Sequence, residues 1–209
     1  GWLTHIYSEE NTPLVSDDGS KENFLWVSNQ RAHNLMQQGM LPPETGDPEH
    51  NSHFDMIDAQ LTTEIFGLLA PARPDIALKI ATLPIQTTAR ENAQWASEFY
   101  IVMHSLASYV DPSLSRKQQV MWLAQQARAR LPRSSYSAHM YDFVMSQYKM
   151  GKPWEKVRDA LYQRYQVEQQ DGYNITARNL YCNGCFASGI NFAASLISLF
   201  YGEGDYKNT

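Results

Sequence analysis

Apolar residues recur at every third or fourth position along most of this chain, the spacing of helices with one face turned inward. Over 24–38 the pattern runs through Leu25, Ser28, Ala32 and Leu35 or Met36, and Gly39 supplies a stop. A loop follows, carrying Pro42, Pro43, Gly46 and Pro48. Residues 56–70 read as one helix, with Ile57, Leu61, Ile65, Leu68 and Leu69 on a single apolar face. Pro71 and Pro74 interrupt it, and Pro74 suits the first turn of the next helix, 75–83. The strongest pattern is 90–110, where Ala96, Phe99, Met103, Leu106 and Val110 share a face.

Further helices are predicted over 115–131, 136–150 and 154–168, with Gly151 and Pro153 separating the last two. The final long one spans about 185–200, with Phe186, Ile190, Ala193, Ile197 and Phe200 in line. Gly184, Ala187, Gly189, Ala193 and Ala194 are small, so another element can approach closely there. No alternating strand of useful length stands out. The reading is all-α, a single globular multi-helix domain over 1–209 of roughly eight helices. Residues 1–23 read as poorly organised, since Glu9–Pro13 and Ser16–Ser20 are turn chemistry. Gly202-Glu203-Gly204 ends a helix, Asp205 is a good cap for another, and only its first turn follows. Either the domain ends raggedly there, or the chain is a piece of a longer protein.

The 209 residues include 17 Lys or Arg and 22 Asp or Glu, a net charge of -5. With 43% apolar and 12% aromatic residues, a packed core is expected rather than disorder. Mild acidity argues against nucleic-acid binding, which asks for a basic face. No apolar run is long enough to cross a membrane, and the start has no secretory pattern. The cytoplasm is the default compartment. The only cysteines, Cys182 and Cys185, exclude a framework of several bridges.

Candidate chemistry is sparse. His50, His53 and Asp55 bring two imidazoles and a carboxylate together, types that ligate metals, but without a zinc spacing. Capping by Asp55 of the following helix is the better reading. Cys182-Asn183-Gly184-Cys185 has no second cysteine pair and no βαβ setting, so two half-buried thiols are expected. Asp17-Asp18 reads as a solvated loop, and Asn174-Ile175-Thr176 matches a glycosylation acceptor. Glu64 and Glu98 could point into a pocket, although surface or partly paired positions suit them better. Trp95 and Tyr100 flank the apolar stripe of 90–110, either as core or as a stacking wall for a base or ribose.

Four segments together resemble the ADP-ribosylglycohydrolase family. The first is Arg31-Ala32-His33-Asn34-Leu35, with Gly39 and Pro42-Pro43-Glu44-Thr45-Gly46. The second runs from Ile57-Asp58-Ala59-Gln60-Leu61 to Gly67, is similar to the family's I-G-A-Q-I-R-x-D-x-x-G helix, and precedes Ala70-Pro71 and Pro74. The third is the helix through Phe99 and Met103. The fourth is Asn191 with the run from Leu199 through Tyr201-Gly202-Glu203-Gly204-Asp205-Tyr206, similar to L-L-Y-G-x-G-D-F. The matches keep the family's order over about 25–206.

The resemblance implies an all-α fold holding two divalent cations, usually Mg²⁺. It implies hydrolysis of the bond joining ADP-ribose to an acceptor, on an ADP-ribosylated protein or a small conjugate. Two metals can orient the ribose hydroxyls and lower the pKa of a water. The family's D-D-T metal motif would precede Trp2-Leu3, and its D-x-D motif would follow Tyr206. The metal ligands are therefore expected outside residues 1–209, and these residues alone are expected to be inactive. Inside the chain, Thr88-Ala89 replaces the family's S-H and Trp95-Ala96 its Y-G. Thr88, Trp95 and Asn191 are carried over as substrate-binding positions, and no catalytic residue is assigned. The alternatives are a non-catalytic structural or ligand-binding module that keeps the fold, and an unrelated all-α interaction domain.

Overall fold

A computed structural model describes residues 25–174 and 185–205, together with Val15, Asp17, Gly19 and Lys207. The described α-helices are α1 (Val27–Gln37), α2 (Asp58–Thr63), α3 (Ile65–Leu69), α4 (Pro74–Gln86), α5 (Glu91–Leu106), α6 (Arg116–Arg128), α7 (Tyr136–Lys149), α8 (Trp154–Leu161) and α9 (Ser188–Gly202). A π-helical turn, Tyr162–Val167, extends α8, and there is no strand among the described residues; Met56 and Ala187 form an isolated bridge. The predicted all-α class holds. Most of the poorly organised stretch predicted for 1–23 lies outside the described residues.

Helix α5 is the axis of the fold, packing on α2, α3, α4, α6, α7 and α9. On one side it faces a core rich in rings. Phe99 meets Tyr100, Tyr141 and Phe192 edge to face, and Tyr141 meets Phe200 in the same way. Such contacts add to the burial energy of large rings. On its other side the core is thin. Ala59, Ala70, Ala77, Ala81, Ala89 and Ala93 fill it, with Ile85 and Ile101 as the large members.

That thin layer overturns one expectation. The stretch 56–70 is two short helices, and its apolar stripe points outward: Leu61, Ile65, Leu68 and Leu69 are 52–64% exposed. The buried side is Ala59, Gln60, Thr63 and Gly67. The reason is the closeness of α3 to α5. A Cβ on Gly67 would lie 2.5 Å from the Ile101 carbonyl oxygen and 2.6 Å from His104 Cβ. Only small residues fit at that crossing, so the large ones are left on the far side. Helix α4 repeats the arrangement, with Ala77, Ala81 and Ile85 inward and Ile76, Ile80 and Leu83 exposed. It also runs through Pro84 to Gln86, beyond the predicted end at Leu83.

Local signals fix several ends. Pro74 opens α4 at its first turn, as predicted. Ser115 caps α6 with Gln118 as the reciprocal partner, a full capping box. Asp205 Oδ1 accepts the Lys207 N–H at 3.0 Å, and the rest of the turn expected after it lies outside the described residues. Helix α9 starts at Ser188, three residues later than expected.

Residues following α8 are held by Asp171. Its carboxylate accepts from Tyr165 Oη at 2.9 Å and Arg164 at 3.0 Å, and pairs with His139 Nδ1 at 3.0 Å. Burial pulls its pKa up, but the bonds from His139, Arg164 and Tyr165 outweigh that and leave it below the usual value. A carboxylate depressed in the folded state stabilises above its unfolded pKa, and that contribution fades as pH falls through the folded value. Asp171→Asn should therefore lower stability at pH 7 by up to about 1 kcal/mol, with the gap to wild type closing in acid. Thermal melts of both proteins between pH 7 and pH 2 check this. Gly67→Ala should cost about 1–3 kcal/mol in denaturant unfolding, because its new methyl meets backbone on α5.

Candidate functional site

The starts of four helices meet around the loop 51–57. Asn51 anchors it. Its buried amide Nδ2 donates to the carbonyls of Ser28 (3.2 Å) and Thr45 (3.0 Å), and its Oδ1 accepts the His53 N–H (3.0 Å). Three backbone bonds then reach outward. The Phe54 carbonyl accepts the Arg90 N–H at 3.1 Å, before α5, and the Asp55 carbonyl accepts the Ser188 N–H at 2.9 Å, opening α9. The Ile57 N–H, before α2, donates to the Phe186 carbonyl at 2.8 Å. The fourth helix joins through Asn92, whose Oδ1 accepts the Ser137 N–H (3.1 Å) and hydroxyl (2.8 Å) near the start of α7. Gly189 lets α9 come close enough, since a Cβ there would lie 2.7 Å from the Tyr136 ring and 2.8 Å from that of Tyr173.

Helix N-termini carry partial positive charge, so this end of the molecule favours an anionic group. The proline loop braces it. Thr45 Oγ1 donates to the Thr87 carbonyl at 2.8 Å. The Arg90 guanidinium donates to the carbonyls of Gln86 (2.6 Å), Ala89 (2.9 Å) and Pro43. Burial lowers the Arg90 pKa, and the charge of Asp47 opposes that. Gly46 is needed where the loop crosses the end of α4, because a Cβ would stand 2.4 Å from the Gln86 carbonyl oxygen.

The three positions carried over from the resemblance border this hub. Thr88 is buried in the α4–α5 connection, its N–H on the Ile85 carbonyl at 3.2 Å. Trp95 lies just over one turn into α5, half-buried against the aromatic core. Asn191, in the first turn of α9, donates Nδ2 to the carbonyls of Cys185 (2.7 Å) and Ala187 (2.8 Å). The amide thus fastens the approach to its own helix. Among the described residues no hydrogen bond joins the three.

Other expectations change. Asp55 does not cap α2, whose cap is Ile57 without a side-chain bond. The Asp55 carboxylate is buried and its carbonyl serves α9 instead. Cys185 is not a half-buried thiol; it is exposed and disulfide-bonded. Cys182 lies outside the described residues, as do Asp18, Ile175 and Thr176, while Asp17 and Asn174 are exposed. Glu98 is buried and fully engaged, by Gln94 Nε2 at 2.9 Å and by Arg130 at 2.5 and 3.0 Å. That is an ion pair bracing α5 against the end of α6. Glu64 is half-buried, with its carbonyl 3.3 Å from His104 Nδ1. The Tyr100 phenol meets Ser195 Oγ, tying α5 to α9. Burial raises its pKa far above normal, eased by the Ser195 bond.

Sequence reasoning missed a cleft of about 270 Å³ between α1 and α2, lined by Trp26, Asn29, Ile57, Asp58, Leu61 and Thr62. Asp58 is the buried acid among them. The carboxylate accepts Asn29 Nδ2 at 2.9 Å, and burial pushes its pKa up against the pull of that bond. One signal was available, because Asp58 stands where the resembling motif has glycine.

The Mg²⁺ implied by the resemblance finds no ligand set among the described residues. No group of three His, Cys, Asp or Glu side chains among the described residues could hold a metal ion. His50, His53 and Asp55 therefore do not form one. No described helix is long and apolar enough to cross a membrane. No protein-family model, curated protein or solved structure matches the chain.

Removing Asn92 tests the hub. Asn92→Ala strips the buried Ser137 N–H of its acceptor and should cost about 1–3 kcal/mol in urea unfolding. Asn92→Asp, which keeps an acceptor, should recover part of that loss.

Proposed function

We propose that this chain belongs to an ADP-ribosylglycohydrolase-like hydrolase, one that frees ADP-ribose from an ADP-ribosylated protein or a small conjugate. The observation that carries the reading is the meeting of the resembling segments. The proline loop and α2 are separated from α5 and α9 along the chain, yet the backbone bonds of the loop 51–57 and the Arg90 guanidinium on the Pro43 carbonyl bind them together. A diphosphate would meet helix N-termini there, and Trp95 would offer a ring to a base or ribose. Metal dependence is part of the proposal for the complete protein only. The described residues supply no ligand group for that metal. The cytoplasm is the default compartment, and the disulfide at Cys185 weighs toward an oxidising one.

A non-catalytic module is the second reading, favoured by one observation. Asn191 and Thr88 are engaged in packing and backbone bonds that a purely structural role explains.

Titration calorimetry with ADP-ribose tests the first reading on the 209-residue chain. Saturable binding is expected, weakened about 2- to 10-fold by Trp95→Phe as stacking area is lost. No heat of binding up to millimolar ligand would overturn it. Binding without ADP-ribose release from an ADP-ribosylated protein, by the complete protein with Mg²⁺ present, would select the module.

A further inference from the structure

The thin side of the fold leaves an apolar face that stays exposed among the described residues. Helices α2, α3 and α4 pack side by side on α5. Leu61, Ile65, Leu68, Ile76, Ile80 and Leu83 all point outward from them, each 39–64% exposed. Leu69 and the 55% exposed Trp26 extend the row. Together these side chains expose roughly 700 Å², more than the largest apolar patch of an ordinary monomer and close to the ~800 Å² per partner of a stable dimer. The pattern is not an accident of one helix, since α3 turns Gly67 inward and α4 turns Ala77, Ala81 and Ile85 inward, while both leave several large side chains outside.

We infer that this face is the interface of a homodimer, with α2–α4 of one copy packed on α2–α4 of a second. Charge decides between a second copy and a lipid surface. A membrane-binding face carries basic residues around its apolar row. Here the exposed faces of α2–α4 hold Lys79 and an Arg73 already paired with Asp75 at 2.7 Å, on a chain of net charge -5. A second copy brings an equally apolar, nearly uncharged row, and a two-fold axis makes that row its own complement. The cleft beside Leu61 and Trp26 adjoins the face and gives it an apolar recess, as interface cores have.

Light scattering on the 209-residue chain tests this, together with hydrogen exchange at two protein concentrations. The expected mass is twice the 23.9 kDa of one copy. Exchange across 61–83 should slow as concentration rises. Leu68→Glu and Ile80→Glu should each weaken the dimer by at least about 100-fold while leaving the helical circular dichroism unchanged. A monomer at about 100 μM would overturn the proposal, and so would a dimer whose 61–83 exchange does not respond to concentration. A monomer that co-sediments with phosphatidylglycerol vesicles would overturn it in favour of a lipid surface. The exchange readout needs no variant, so misfolding of a substituted chain does not shield the proposal.

Discussion

Burial of α5 on nearly every side is the constraint that the other helices obey. Ten of its residues are buried, from Asn92 to Ser105. A helix so enclosed needs neighbours on both flanks, and the flanks answer differently. Toward α6, α7 and α9 the space is filled by rings, with Phe99, Tyr141, Phe192 and Phe200 interlocked edge to face. Toward α2, α3 and α4 the backbones come close, so alanine and Gly67 form the contact. Polar residues also enter α5 under strict terms. Glu98 is buried only with Arg130 and Gln94 on its oxygens, which matches the cost of an uncompensated buried charge.

The same enclosure explains why the candidate site lies where it does. Helix starts leave N–H groups without intrahelical partners. The loop 51–57 satisfies several of them at once, joining the starts of α2, α5 and α9, while Asn92 adds α7. Elements distant in sequence therefore share one region through hydrogen bonds that a burial pattern cannot reveal. The same contacts fix the engaged states of Asn191, Thr88 and Glu98.

Where the chain was read differently, the cause is a distant partner. Asp55 looked like a cap because it precedes a helix, but its carbonyl is taken by Ser188, more than a hundred residues away. Glu98 looked like a surface or half-paired acid until Arg130 came beside it. A cysteine pair without a second pair read as free thiols, whereas Cys185 is bonded. The stripe Leu61, Ile65, Leu68 and Leu69 is the plainest case. Its helical period was correct and its direction was not.

The amino-acid sequence by itself determined the helices, their order and many of their ends. These follow from interactions within a few residues: periodic side chains, the Ser115 capping box and Pro74 at a first turn. It also determined the aromatic core, because Phe99, Met103, Phe200 and their partners have nowhere else to be buried. Only the tertiary structure decided which face of α2, α3 and α4 turns inward. Hydrophobicity favours the leucine side, but an approach of 2.5 Å between a would-be Cβ at Gly67 and the α5 backbone admits only the small side. That conflict between burial and steric fit is set by a neighbour some thirty-five residues further along the chain, so no local pattern could express it.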